Sequence, residues 1–393
     1  MENKTNRLSN SSLPQVDLLQ TSVIIIGAGL SGLYAAYLLK KRGINAIILE
    51  ARSRIGGRIH SIPFHFNEGR KHQDNARYDM GPAWFWPETN PLFEALVKEL
   101  GLIAFTQYSS GDYLIDESMD KEPKAYPSHY INQPSSHRLE GGMLSIIEGL
   151  LETLAPNSVI LDTQVTTITK TDNDGYQLTA VKNGQEIEFK SNCVITAMPL
   201  RLLNQSIQFS PALPLQVQKK MQSLPTWMAA HAKILALYPT PFWRAQGFSG
   251  SAMSYLGPMA EIHDASANLT SNGTGRGALF GFLAVNAMGR QTAGVETLKA
   301  MAIKQLTRIF GPHAAEPLSI ELLDWYQEPL TATHEDSANL AHPVYGLGSS
   351  SEDATHPNLM FAGTEAASRN GGYLEGALEA AATAVEYWYQ KQG

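Results

Sequence analysis

The sequence predicts an α/β fold with a parallel sheet at its heart, and three observations near the N-terminus carry that expectation. Val23, Ile24, Ile25 and Ile26 form a β-branched run, the pattern of a strand buried on both faces of a parallel sheet. The run meets the glycine pattern Gly27, Gly29, Gly32, and residues 33–42 then have the composition of a helix that Gly43 ends. A second apolar run, 46–49, closes on Glu50. Glycines that follow a strand and open a helix inside a βαβ unit mark a Rossmann-type dinucleotide site.

Each residue of that turn has a physical task. Gly27 makes the tight turn, Gly29 lets the backbone approach a pyrophosphate, and Gly32 allows close helix–strand packing. Leu30 and Ser31 open the helix, whose free N–H groups favour an anion. Glu50 stands 18 residues past Gly32, where a carboxylate accepts hydrogen bonds from ribose hydroxyls and repels a 2′-phosphate.

Farther along, short strands are expected at 159–161, 165–169, 176–181 and 186–189, with turns at 172–175 and at Asn183-Gly184. Asn-Gly between alternating runs is a strong hairpin signal. A further buried strand is expected at 193–197, which makes Cys193 a packing residue. The run 232–237 reads as a strand apolar on both faces except for Lys233, and a lysine there requires a reason. A helix over 296–310 ends at Gly311-Pro312, a last strand lies at 359–363, and a last helix at 374–389. Residues 349–351 read as a short loop, and residues 1–21 as a flexible arm.

Composition narrows the classes of function. The chain has 393 residues, enough for two or three domains, with 43% hydrophobic and 17% charged residues, as in a globular enzyme. A net charge of −7 and the lack of a basic stripe argue against a nucleic-acid partner. One cysteine and scattered histidines argue against a metal site and an internal disulfide. No apolar run reaches the ~20 residues that cross a bilayer, so a cytoplasmic protein without a membrane span is expected. A homodimer stays open.

The glycine turn alone does not separate NAD from FAD. The continuation Leu49-Glu50-Ala51-Arg52-Ser53-Arg54-Ile55-Gly56-Gly57-Arg58 resembles a second block of the flavin-containing amine oxidase family, the monoamine and polyamine oxidases. The resemblance extends to Asp79-Met80-Gly81-Pro82-Ala83-Trp84, to Glu140-Gly141-Gly142-Met143, and to the strand around Lys233. It continues through Asp324-Trp325, Phe361-Ala362-Gly363-Thr364-Glu365 and Gly372-Tyr373-Leu374-Glu375-Gly376. It implies a discontinuous FAD-binding domain (22–87, 140–222 and 328–393) with an inserted α+β substrate domain (88–139 and 223–327), as in a compact bacterial member.

The resemblance also implies roles. Gly57 and Arg58 would lie on the flavin and pyrophosphate, Ala51 and Arg52 on the phosphate or ribose side, and Val165 on the adenine. Gly81, Pro82, Ala83, Trp84, Gly363 and Leu374 would complete the cofactor site, with Glu365 on the ribityl chain and the helix after Tyr373 aimed at the flavin. Lys233 would act beside the flavin, the alternative being a lysine that snorkels to solvent. Trp325 and Tyr373 would wall the substrate site. The second aromatic that the family sets against Tyr373 has no clear match in 328–336, and His334 or Trp84 would stand in for it. That loop has no cysteine, so FAD is expected to bind non-covalently.

The expected reaction is oxidation of an amine CH–NH bond to an imine and then an aldehyde, with a small-molecule amine and O2 as partners and hydrogen peroxide as product. A desaturase or protoporphyrinogen-oxidase-like enzyme acting on CH–CH bonds and a non-catalytic flavin-binding module are the alternatives.

Overall fold

A computed structural model describes residues 20–63, 76–127, 134–268, 275–338, 341–348 and 355–391. The expected loop at 349–351 and residues 1–19 of the expected arm lie outside the described residues. Gln20 and Thr21, placed in the arm by the sequence reading, belong to the first strand, where they pair with Lys190 and Ser191.

An eight-stranded sheet forms the first layer. Gln20–Ile26 lies at its centre, parallel to Ala46–Leu49 on one side and to Gln185–Thr196 on the other. Leu359–Phe361 also pairs in parallel with Gln185–Thr196. The helix Leu30–Lys41 joins the first two strands, and helix Leu374–Gln390 packs beside it. Val23 and Ile25 are fully buried among those helices, whereas Ile24 is fully buried in the cluster on the opposite face. This two-sided burial is why the run lacks alternation.

The two strands expected at 186–189 and 193–197 are one strand, Gln185–Thr196. Its first half forms the hairpin with Tyr176–Lys182, and its second half enters the parallel core. Lys190 and Asn192 are exposed where the roles change, and those polar residues mimic a break in the sequence.

A seven-stranded sheet forms the second layer, in the order Ser319–Asp324, Ala232–Tyr238, Gly277–Leu283, Met259–Asp264, Phe248–Ser254, Asp112–Asp116, Lys124–Pro127. Ala232–Tyr238 is buried along its whole length. Ile234, Ala236 and Tyr238 pack in the cluster that contains Leu298, Ala302 and Leu306 of helix Val295–Phe310. Leu235 and Leu237 join Tyr78, Met80 and Phe280 on the other face. A side-chain period of two sends Lys233 to that second face.

Candidate active site

The glycine turn is built as tightly as the sequence implies. Gly27 has φ +105°, and a Cβ there would come within 2.7 Å of the Ala197 carbonyl oxygen. At Gly32 a Cβ would overlap the Gly27 carbonyl, which explains its part in helix–strand packing. Around Gly29 a Cβ would meet nothing closer than 3.8 Å, so the open side of the turn faces space. Helix Leu30–Lys41 has no acidic residue in its first turn to compete for that space. Ser31 donates its hydroxyl hydrogen to the Ala362 carbonyl and ties the helix start to the strand Leu359–Phe361.

That space is the start of a cavity of about 640 Å³. Of the residues singled out above, Gly27, Gly29, Leu30, Ser31, Glu50, Ala51, Arg52, Gly57, Arg58, Gly81, Pro82, Ala83, Trp84, Val165, Lys233, Trp325, Gly363, Tyr373 and Leu374 line it. Gly32 and Glu365 do not.

Glu50 is 4% exposed. One of its oxygens accepts from the Ala28 N–H at 2.7 Å and the other from the Arg52 N–H at 2.9 Å. The carboxylate therefore clamps the glycine turn to the next loop and keeps lone pairs for a ligand. Arg52 is committed to the loop that follows Trp325, donating to Thr331 Oγ1 at 2.8 Å and pairing with Glu328 at 3.4 Å. Glu365 is fully buried, and Arg58 lies 2.8 Å from it as an ion pair. Both Glu365 oxygens are closed to solvent without an aligned donor. Of the two residues expected at the cofactor, Arg58 lines the cavity and Glu365 does not, being covered by its pair with Arg58. Buried acceptors without donors are costly. The open face of Gly29, the free helix start and the spare lone pairs of Glu50 suit a group with phosphates at one end and hydroxyls along its length.

Lys233 is 2% exposed, so the snorkelling alternative is overturned. Its ammonium donates to the Gly81 carbonyl at 3.2 Å and lies 3.8 Å from the centre of the Phe280 ring. Burial, opposed by Asp79 and reinforced by Arg138, lowers its pKa from 10.5 to about 7. Trp325 donates its indole N–H to the Met80 carbonyl at 3.1 Å. Its backbone is held by Asp324, which caps the short helix Trp325–Gln327 and forms a bidentate pair with Arg290 at 2.6 and 2.8 Å.

Tyr373 stands at the start of helix Leu374–Gln390. The ring packed directly on Tyr373 is neither His334 nor Trp84, and it does not line the cavity. His342 stacks on Tyr373, with centroids 4.8 Å apart and planes 12° apart, and contacts the Gly371 carbonyl at 2.9 Å. His334 is exposed and meets the Tyr326 hydroxyl instead. Trp84 lines the cavity, anchored through its indole N–H to Gln107 at 2.8 Å.

Sequence reasoning missed further wall residues: Trp227, Met228, His231, Phe280 and Phe282. Phe282 is the cross-strand partner of Lys233, and its apolar strand was the only signal available. His231 sits two residues before Lys233, its Nδ1 buried without a hydrogen-bond partner. Burial, then Arg290, holds its pKa below the ordinary histidine value. Among the described residues, no group of three or more His, Cys, Asp or Glu is placed to hold a metal ion.

A Rossmann-type sheet, a cavity that opens at its glycine turn, and a second sheet that lends the same cavity a buried lysine and aromatic walls define a dinucleotide-dependent oxidoreductase of the two-domain type. Comparison with known proteins names its kind. A model of the flavin containing amine oxidoreductases matches residues 104–387, and one of NAD(P)-binding Rossmann-like domains matches 25–100. The chain belongs to the flavin-containing amine oxidoreductase family and is a flavin-dependent amine oxidoreductase.

Among its relatives, a probable flavin-containing monoamine oxidase A of Dictyostelium discoideum is 25% identical, covering 91% of this chain and 95% of its own. A putrescine oxidase of Kocuria rosea is 24% identical over 80% of this chain and 84% of its own. The fold is shared with a putrescine oxidase solved with putrescine (TM-score 0.73, 21% identity, 95% of this chain and 100% of the other). Cyclohexylamine oxidase from Brevibacterium oxydans IH-35A shares it as well (TM-score 0.73, 20% identity, 95% and 100%).

Proposed function

We propose that this protein holds FAD without a covalent bond and oxidises the CH–NH bond of an apolar amine that carries a single positive charge. The overall reaction takes the amine, O2 and water to an aldehyde (a ketone where the amine carbon is secondary), ammonia and hydrogen peroxide. The observation that carries this reading is the lining of the cavity. Trp84, Trp227, Phe280, Phe282, Trp325 and Tyr373 line the cavity that also holds Lys233. Among the described lining residues the sole carboxylate is Glu50, whose oxygens already serve the glycine turn. A second ammonium on the substrate would have no counter-charge there, and a buried unpaired charge is strongly disfavoured. An α-carboxylate would find Arg52, Arg58 and Lys233, the first tied to Thr331 and Glu328, the second to Glu365 and the third to the Gly81 carbonyl.

When bound, the flavin supplies the two-electron acceptor. The chain supplies the rest. The aromatic walls strip water from the entering ammonium, which lowers its pKa and favours the neutral amine with its free lone pair. Lys233, with a pKa of about 7, is able to hold or release a proton at Nζ near neutral pH. The start of helix Leu374–Gln390, whose residues Tyr373 and Leu374 line the cavity, presents unpaired N–H groups to a developing negative charge.

Non-covalent attachment is supported by Cys193, which is fully buried in the strand Gln185–Thr196 and lines no part of the cavity. We assign the flavin-binding domain to 22–87, 140–222 and 328–393 and the substrate domain to 88–139 and 223–327. Support comes from the two sheets, which draw on these two sets separately, apart from Gln20 and Thr21 at the start of the first.

A peroxide-coupled screen tests the proposal. Benzylamine or cyclohexylamine should be turned over at least tenfold more efficiently than putrescine or an α-amino acid. A preference for putrescine would overturn the single-charge reading, and peroxide from none of them would overturn amine oxidation with O2.

A further inference from the structure

Of two candidate catalytic side chains, Lys233 lies in one strand of the second sheet and Trp325 in the short helix that follows the neighbouring strand, yet both hydrogen-bond to successive carbonyls of one segment. Met80 accepts from Trp325 and Gly81 accepts from Lys233. The residue just before them is Asp79. We propose that Asp79 is a positioning residue for this site, holding the Met80 and Gly81 carbonyls in place and serving as the buried counter-charge of the Lys233 ammonium.

The segment is pinned from Asp79. The strand Arg77–Asp79 pairs with Ser61–Pro63. Asp79 is 2% exposed, and its Oδ1 accepts from the Ser61 hydroxyl and from the Met143 N–H at 2.9 Å. Ser61 Oγ in turn accepts from the Leu144 N–H at 3.0 Å, so the pair also caps helix Leu144–Thr153. Close approach requires Gly142, at φ +78°, where a Cβ would come within 2.7 Å of Ser61 Oγ and 2.9 Å of Asp79 Oδ1. The Met80 N–H donates to the His60 carbonyl at 2.8 Å. Gly81 lies so close to the Arg58 carbonyl that a Cβ would fall 2.1 Å from it. A shift at Asp79 therefore reaches Trp325, Lys233 and the Arg58 backbone together.

The charge argument stands on the other oxygen. Asp79 Oδ2 is buried without a hydrogen-bond partner, so capping uses only half of the carboxylate. Two ionised groups act on the Lys233 ammonium, and they act in opposite senses: Asp79 favours the charged form and Arg138 disfavours it. The guanidinium of Arg138 is occupied by the Ser266 and Ala265 carbonyls at 2.9 and 3.0 Å. The Phe280 and Phe282 rings lie 3.8 and 5.9 Å from the ammonium, and neither titrates. An aspartate in this place offsets a desolvation that would otherwise discharge the lysine.

The proposal rests on the reading of Lys233 as the lysine of the amine-oxidation site, and its test needs no turnover. In flavin-loaded protein carrying ¹³Cε-lysine, the Lys233 signal is identified by its absence in Lys233→Met. Asp79→Asn keeps the shape and an acceptor for Ser61 and Met143 but removes the charge. The Lys233 midpoint should fall by about half a pH unit or more. An unchanged or raised midpoint would reduce Asp79 to a helix cap.

A thermodynamic cycle guards against a variant that folds poorly. Melting temperatures at pH 6, where the ammonium is charged, should fall more for Asp79→Asn in the wild-type background than in Lys233→Met. Folding of the double variant alone would support the coupling. Equal losses in both backgrounds, or failure of both to fold, would overturn it. Should no amine be oxidised, the midpoint comparison still decides the role of Asp79, so the two readings fail separately.

Discussion

Lys233→Met should make this protein more stable while it makes the enzyme worse, and the size of the gain follows from the burial of one ammonium. Its pKa falls from 10.5 to about 7, a span that corresponds to about 5 kcal/mol at 1.36 kcal/mol per pH unit. At pH 7 about half the native lysines are charged, so about 4 kcal/mol of that cost acts. Methionine keeps the length and the apolar stem, but it leaves the Gly81 carbonyl without its donor, which returns about 1–2 kcal/mol. A net gain on the order of 2–3 kcal/mol remains at pH 7.

The sign fixes the pH dependence. A lysine whose native pKa is depressed destabilises the fold wherever the unfolded chain binds the extra proton. The wild-type penalty is therefore fully present below about pH 7 and fades as pH rises toward 10.5. Urea unfolding of both proteins without cofactor, at pH 6, 7, 9 and 10, measures the difference. The variant should lead clearly at pH 6 and 7 and lose most of that lead by pH 10. A variant less stable than wild type at pH 7, or a gain that ignores pH, would refute the idea that a desolvated ammonium sets the penalty. Turnover of the same variant under air should drop at least tenfold, with stopped-flow traces assigning the loss to one half-reaction.

Glu50→Gln should weaken FAD binding by about tenfold or more, because a charge-assisted hydrogen bond is worth roughly 1.5–3 kcal/mol and the amide turns an N–H toward one of two backbone donors. Titration by flavin fluorescence reads this, and an unchanged affinity would remove Glu50 from the ribose. Acid or heat should release all flavin into the supernatant as intact FAD; colour left with the precipitate would mean a covalent link. The rate of flavin reduction at saturating amine should rise with pH through an apparent pKa below that of the free amine, near 10.4. Tyr373→Ala should slow that step more than Tyr373→Phe, since the ring and its stack on His342 shape the wall. A flat profile from pH 6 to 10, or equal damage from both substitutions, would count against the aromatic wall.

Much of this molecule was legible in its linear pattern because the informative signals are local. The βαβ unit shows itself through burial on both faces at Val23–Ile26, glycines where backbone oxygens crowd, and Glu50 at the end of the next strand. Lys233 stood out because a lysine inside a continuous apolar strand has few bland explanations, and its burial follows from the strand's place inside the sheet. Most of the residues singled out by motif, though not Gly32 or Glu365, line one cavity for the same reason, since each motif is a short backbone shape.

Other features arise from contacts between distant stretches, and no period or spacing encodes them. Arg58 covers Glu365 across 307 positions, and Arg52, which lines the cavity, is anchored to Thr331. His342, in a loop with no motif, provides the ring against Tyr373. Asp79 acquires its place through Ser61, Met143 and the two carbonyls that follow it. Hydrophobic patterning tells which side of a strand is buried, but the choice of hydrogen-bond partner is made by competition among polar groups that meet only once the two sheets have packed.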